Sequence, residues 1–392
     1  MSGRGVLLIG RARTVLLVAV LAGAFVEVST EHRRYGWLVD VFALAAVGVV
    51  GMAAVLGSEA SRPRDRLAPE PRPGPAAPVF QHLPGPPPPP ARPPKPRPLL
   101  QERPTDPSVP RFGNGAPAQG YPWLLPERTV QNGIAADEAA VGAFAVRAAS
   151  VVGPGHRCSP PAGPRQDSYR IGRSRDSRYA IVAVADGLSS AAWSDAGATT
   201  ASSQAVTLLR AQVEAGGLDG LDAVELYGRV AESVAGYAVR RGVDSSHVAT
   251  VLITAVLAEP DADGVARAWV GWLGDSSAWL LDPRGGPWQC SSGDAKDRAA
   301  VVLSNDVAGR LPDTPQLARS HYLTLPPGGA LALVTDGIGD AWADPAGHVN
   351  EYFANAWRLP VPATRFTADV GFDAPQCLDD RTAVVVWNGG RA

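Results

Sequence analysis

The chain has 392 residues, 45% of them apolar and 19% charged, so a sizeable core can form somewhere along it. The formal net charge of −2 is a balance of unlike parts: residues 1–61 carry +1 and residues 62–126 carry +5, leaving −8 for residues 127–392. Such an acidic C-terminal region lacks the basic face that general nucleic-acid binding requires, and it is compatible with a site that collects cations.

Two apolar stretches open the chain. Residues 14–30 form a marginal span with Glu27 near its end, and residues 35–57 hold Asp40 as their only charge. The second is long enough to cross a hydrocarbon core of about 30 Å. Together they predict a hairpin of two transmembrane helices. Arg4, Arg11 and Arg13 precede it, Arg62, Arg64 and Arg66 follow it, and the loop between carries Arg33 and Arg34 beside Glu31. The positive-inside bias then puts both ends in the cytoplasm, with the C-terminal region on that side of the cell membrane. A cleaved leader ending near "LAGA" is the rival reading.

Residues 58–126 have a different character. Twenty-two of the 37 prolines fall between Pro63 and Pro126, including the run Pro86 to Pro90. A segment so poor in amide donors and apolar residues cannot build helix, sheet or core, and it reads as an extended, semi-rigid linker.

A globular pattern follows, giving a domain over residues 127–392. "GAFAVRAASV" (142–151) and "SRYAIVAVADG" (177–187) read as strands. Residues 196–215 and 221–241 repeat apolar residues at three- and four-residue steps, predicting two helices. "ATVLITAVL" (249–257), "ARAWVGWLGDSSAWLLD" (266–282), "HYLTLPPGGALALVTDG" (321–337) and "DDRTAVVVWNG" (379–389) read as strands with turns between them. The fold class is α+β. Cys158, Cys290 and Cys377 are far apart and form no CxxC pair, which argues against a disulfide framework or a zinc finger.

Three apolar strands end in an aspartate and a tight turn: Asp186-Gly187 in "IVAVADG", Asp275 in "WVGWLGDSS" and Asp336-Gly337 in "LALVTDG". Asp379 and Asp380 stand just before "TAVVVW", and Asp167 precedes another strand. A carboxylate fixed at the rim of a core is partly desolvated, which is unfavourable unless a positive charge compensates it. Several converging carboxylates point to a bound cation, and all-oxygen ligation favours Mg²⁺ or Mn²⁺ over zinc. No histidine adjoins these acids in sequence; His156 comes nearest, upstream of Asp167. Each element taken singly is turn chemistry, and a lone Asp-Gly after a strand is usually just a turn.

In order, "RQDSYRI" (165–171), "VADGLSS" (184–190), "ATVLITAVL" (249–257), "GDSSAWLL" (274–281), "VTDGIGD" (334–340) and "DDRTAVVVW" (379–387) resemble the metal-dependent protein phosphatases of the type-2C class, over about residues 140–390. The resemblance implies a four-layer α-β-β-α sandwich, two antiparallel sheets flanked by helices, with a site for two Mn²⁺ or Mg²⁺ ions at one end. By motif, Asp186 would bridge the two ions with the Gly187 carbonyl as a further ligand. Asp336 and Asp379 would complete one ion, Asp167 would bind or orient water at the other, and Asp275 would belong to a third, weaker position. The implied activity is hydrolysis of phosphoserine or phosphothreonine in phosphoproteins, opposing a Ser/Thr kinase near the membrane.

Two departures stand out. The position where the family commonly grips phosphate with an arginine is Ala162, leaving Arg157 or Arg165 as substitutes, each also readable as a surface charge. After Asp186-Gly187 the chain runs Leu188-Ser189-Ser190 rather than to a further glycine. His156 is a candidate phosphate or acid-base contributor, or an ordinary hydrogen-bonded loop histidine. The alternative to an active phosphatase is a phosphatase-like module of little or no activity that binds phosphoproteins or a ligand for regulation.

Overall fold

The computed structural model describes residues 108–113, 122–158, 160–292, 309–344, 348–375 and 377–389. The predicted spans at 14–30 and 35–57, and most of the predicted linker, lie outside these residues. Among the described residues no helix is long and apolar enough to cross a membrane.

In chain order the elements are β1 (Ile134–Val141), β2 (Phe144–Val151), a helical turn α1 (Pro154–Arg157), β3 (Ser168–Arg173), β4 (Tyr179–Gly187), α2 (Ser194–Gly216), α3 (Ala223–Arg241), β5 (Thr250–Ala258), β6 (Ala266–Leu273), β7 (Ser277–Leu281), β8 (Gln289–Ser292), β9 (Arg319–Leu325), β10 (Ala330–Val334), α4 (Asp336–Ala343), α5 (Val349–Ala356), α6 (Ala363–Val370) and β11 (Arg381–Asn388). They form two antiparallel sheets, one ordered β1-β2-β11-β10-β7-β8 and the other β3-β4-β5-β6-β9.

Both faces of the central strands are covered, which is why they read as unbroken apolar runs rather than alternating ones. On β4, Val182 and Val184 meet Leu333 of β10 and Val384 and Val386 of β11 in the core between the sheets. Ile181, Ala183 and Ala185 face the opposite way, onto α2 and α3. α2 presents Ala198, Ala201, Ala205 and Leu209 to the sheet, a stripe mostly of small residues that lets the helix lie close. On the outer face of the other sheet, Trp342 of α4, Phe353 of α5 and Phe366 of α6 pack with Trp279, Trp357 and Trp387. The layers are therefore helix, sheet, sheet, helix, the arrangement expected.

One boundary differs from expectation. The end of the proline-rich segment is part of the domain, not spacer. Phe112 N–H donates to the Asp373 carbonyl at 2.9 Å, and Asp373 N–H donates to Pro110 at 2.9 Å. The Phe112 ring packs edge-on against Tyr352 and Phe372, with centroids 5.4 and 5.7 Å away. One aromatic ring supplies the apolar area that the prolines around it lack.

Candidate metal centre

Strand register alone brings the aspartates to one end of the two sheets. Ser168 of β3 pairs with Ala185 of β4, so Asp167 and Asp186 stand opposite each other at the next position. Gly187 pairs with Thr250 of β5, and Leu252 pairs with Leu273 of β6, so the turn carrying Asp275 opens at the same end. In the other sheet Val334 pairs with both Ser277 and Ala383, which sets Asp336 beside the start of β11 and beside the Asp275 turn. Asp379 and Asp380 immediately precede β11.

Two glycines make the turns possible. Gly274 has φ +97°, a left-handed conformation that L side chains rarely adopt, and this releases the chain from β6 before Asp275. A Cβ on Gly337 would overlap the carbonyl oxygen of Asp380, so only glycine lets the first turn of α4 touch the main chain just before β11. Gly187 is similarly enclosed, since a Cβ there would lie 2.7 Å from the Ser194 Cβ and 2.9 Å from the Gln166 carbonyl oxygen. The missing second glycine costs nothing here. Leu188 N–H donates to Ala249 at 3.0 Å and Ala191 N–H donates back to Leu188 at 2.9 Å, closing the turn with ordinary residues.

The electrostatics register the convergence. Burial pushes the Asp186 carboxyl well above the usual carboxylate range, and the charges of Asp167, Asp336, Asp379 and Asp275 add to the shift in that order. The four other predicted acids thus all act on Asp186. Burial likewise raises Asp167, reinforced by Asp380, while hydrogen bonds from Thr382 and Thr335 oppose the shift. Asp379, 48% exposed at its side chain, is also raised, by burial and then by Asp336 and Asp380. Clustered carboxylates of this kind are stable as anions only with a cation among them.

Asp167 is held from behind. Its Oδ2 accepts from the Thr335 hydroxyl at 2.9 Å and the Thr382 hydroxyl at 2.7 Å. Thr382 Oγ1 lies 2.6 Å from Ser150 Oγ, which accepts from Arg165 Nη1 at 2.6 Å. Oδ1 of Asp167 and both oxygens of Asp186 have no protein donor among the described residues. Unpartnered carboxylate oxygens at the rim of a core fit hard divalent cations such as Mg²⁺ or Mn²⁺.

Neither arginine offered for phosphate is placed to grip it. Arg165 is 4% exposed and donates to the carbonyls of Asn132 and Asp167, to Ser150 Oγ and to Gln131 Oε1. Arg157, 5% exposed, donates to the Leu124 carbonyl at 3.2 Å. As sequence they looked like loop cations. Folding buries both behind the loop, where main-chain carbonyls claim the guanidiniums.

Asp380 and His156 form a pair that chain distance concealed. Asp380 Oδ1 accepts from Gly153 N–H at 2.6 Å and from His156 Nδ1 at 2.9 Å, and Oδ2 accepts from Gln166 N–H. Burial lowers the imidazole pKa, but the hydrogen bond to Asp380 and the charges of Asp380, Asp379 and Asp167 outweigh it, raising the value to about 9. The ring is therefore cationic at neutral pH and its Nδ1–H donates. Ligand atoms of His156, Asp379 and Asp380 lie within 4.8 Å of one another, with His156 Nε2 3.8 Å from Asp379 Oδ1. Asp380 has its oxygens filled by donors, which leaves Asp379 as the member facing the other acids.

A strap runs past the centre. Arg128 makes a two-pronged ion pair with Asp195 of α2, at 2.6 and 3.0 Å. Three residues on, Gln131 Nε2 donates to the carbonyls of Arg165 at 2.6 Å and Asp167 at 3.1 Å.

A family model described as Protein phosphatase 2C matches residues 154–367. Among solved structures, a bacterial serine phosphatase is 12% identical with TM-score 0.45, covering 63% of this chain and 98% of its own. PppA, described as a key regulatory component of T6SS in Pseudomonas aeruginosa, is 20% identical with TM-score 0.42, covering 64% and 99%. The S. agalactiae serine/threonine phosphatase is 13% identical with TM-score 0.43, covering 62% and 99%. No curated protein matches.

Proposed function

The chain belongs to the protein phosphatase 2C family, and from that premise we propose that it is a metal-dependent serine/threonine protein phosphatase. It hydrolyses phosphoprotein monoesters with water, releasing inorganic phosphate and the free hydroxyl. The observation that carries this reading is the joint action of Asp167, Asp336, Asp379 and Asp275 on the Asp186 carboxyl. Divalent cations bound by these oxygens would neutralise the clustered charge, polarise the phosphoryl oxygens and acidify an attacking water. Two Mn²⁺ or Mg²⁺ ions, with a third and weaker position at Asp275, match the donor set.

Within that scheme Asp186, the Gly187 carbonyl, Asp336 and Asp379 would hold the ions. Asp167 offers Oδ1 while Thr335 and Thr382 hold Oδ2. His156 donates to Asp380, and Asp380 in turn fixes the loop bearing Gln166.

The test is phosphate release from a phosphothreonine peptide and from p-nitrophenyl phosphate by the full chain, with and without Mn²⁺. Hydrolysis should require the metal and disappear in Asp186→Ala; metal-independent release would sink the proposal. A second reading, phosphoprotein binding with little turnover, is favoured by the commitment of Arg157 and Arg165 to protein acceptors. Tight peptide binding without release at saturating Mn²⁺ would select it.

We also propose that residues 14–30 and 35–57 anchor the chain in the cell membrane with residues 127–392 on the cytoplasmic side, facing the products of a Ser/Thr kinase. The support is the run of apolar residues and the arginines flanking it. Reporter fusions after residue 130 test it: activity of a periplasmic reporter there would reverse the assignment.

A further inference from the structure

Beside the metal centre lies a second cavity of about 390 Å³ that the phosphatase reading does not use. Arg128, Gln131, Trp193, Asp195, Tyr237 and Arg241 line it. Both guanidiniums lie over the Trp193 ring, Arg128 at 4.5 Å and Arg241 at 4.1 Å from its centre. Their charges are not equivalent. Arg128 is neutralised by Asp195 through two hydrogen bonds. Arg241 is exposed and has no carboxylate partner among the described residues, so the cavity keeps one positive charge. It does so in a region whose sequence carries −8 overall.

A basic residue in the last turn of α3 is expected from the helix dipole alone. That role needs only a side chain reaching into water. Here the guanidinium is instead laid on an aromatic face, which fixes its plane and leaves its N–H edge open to a ligand. Pre-orientation of this kind lowers the entropic cost of engaging a carboxylate.

The cavity adjoins the metal centre by two covalently short routes. Gln131, part of its wall, donates to the main chain of Arg165 and Asp167. Ser194, next to Trp193 and Asp195, packs against Gly187. A polypeptide with its phosphorylated residue at the aspartates would have its flanking residues over this cavity.

We propose that the cavity is a docking subsite for an acidic side chain of the phosphorylated polypeptide, with Arg241 as its cationic anchor and Trp193 as the platform that orients it. The proposal rests on the phosphatase reading for its ligand, but not on turnover. Two non-hydrolysable phosphonate peptides, alike except for glutamates or glutamines flanking the phosphothreonine mimic, are bound to the full chain in Mn²⁺ and read by fluorescence anisotropy. The glutamate peptide should bind roughly three- to five-fold more tightly, the range of an exposed but well-oriented ion pair. Arg241→Gln should abolish the preference, and Arg241→Glu should turn it toward a lysine-flanked peptide, with circular dichroism verifying the fold of each variant. Equal affinity for the pair in the native chain overturns the proposal, as does a preference that survives Arg241→Gln, or no binding of either peptide. Phosphate release from p-nitrophenyl phosphate, measured separately, reports on the catalytic reading and does not enter this comparison.

Discussion

The hydroxyl of Thr382 donates to Oδ2 of Asp167 at 2.7 Å, joining positions 215 residues apart in the chain. One bond therefore ties the start of β11, in one sheet, to the residue before β3, in the other. Behind it the donors line up: Arg165 donates to Ser150, and Ser150 lies beside Thr382. A positive charge is thus relayed through two hydroxyls to a buried carboxylate whose other oxygen stays open.

Arg165 should accordingly act as a support and not as a phosphate ligand. Arg165→Met takes one donor each from the Asp167 carbonyl, Ser150 and the Asn132 carbonyl, and should cost about 2–4 kcal/mol in chemical denaturation. Steady-state kinetics on p-nitrophenyl phosphate should show a lower kcat with KM little changed. A large rise in KM with stability intact would return Arg165 to the substrate.

Asp186 trades stability for chemistry. Asp186→Asn should lower kcat/KM by roughly 10³-fold, in keeping with the loss of a central electrostatic group. In the chelated protein the same change should raise stability at pH 7 by about 1–3 kcal/mol, because it removes a charge repelled by four others. Denaturation of both proteins in EDTA measures this.

The pH dependence follows from the raised carboxyls. Folding favours their protonated forms, so that contribution is fully present below the unfolded value of 3.8 and is lost as pH rises through the higher folded values. Chelated wild-type protein should therefore lose stability relative to Asp186→Asn as pH climbs from about 4 to 7. Saturating Mn²⁺ should flatten the difference. A chelated wild type that gains on the variant over this window would contradict the clustering.

Two glycine substitutions separate packing from propensity. Gly337→Ala drives a Cβ into the Asp380 carbonyl, and should cost about 2–4 kcal/mol and weaken Mn²⁺ binding. Gly228→Ala, within α3 and with nothing in reach of its Cβ, should stabilise by about 1 kcal/mol. Thermal unfolding with metal titration distinguishes them.

The start of the domain is testable by truncation. A chain beginning at residue 108 keeps Phe112 on its aromatic neighbours, whereas one beginning at 127 exposes Tyr352 and Phe372. The shorter chain should be less stable by about 1–3 kcal/mol. Equal midpoints in urea would restore the boundary read from proline content.

The strands and the two long helices were legible because their signals are long. Apolar runs such as Ile181–Ala185 and the spacing of Leu226, Val230 and Val234 need no tertiary knowledge. α4, α5 and α6 were not foreseen. Each is eight residues, barely two turns, and α4 opens on Asp336-Gly337, which reads as a turn. At the site the aspartates were visible as rigid strand ends. Their supports were not, although Thr335 and Thr382 stand inside the quoted motifs, because a hydroxyl's partner is chosen by register between sheets. The pairing of His156 with Asp380 escaped for the same reason. Arg157 and Arg165 misled because nothing local distinguishes a cation facing solvent from one folded onto carbonyls.

The strap of residues 128–131 has a mechanical consequence. It is the stretch of chain leading out of the proline-rich segment, and it holds Asp195 at one end and the main chain of Asp167 at the other. A force or a partner acting on the chain just before residue 128 is delivered there before it meets any strand of the sandwich. Sliding the strap by an ångström or two would strip Gln131 from two carbonyls and loosen the carboxylate beside Asp186. The lever on the reaction centre is thus external to the sheets that build it.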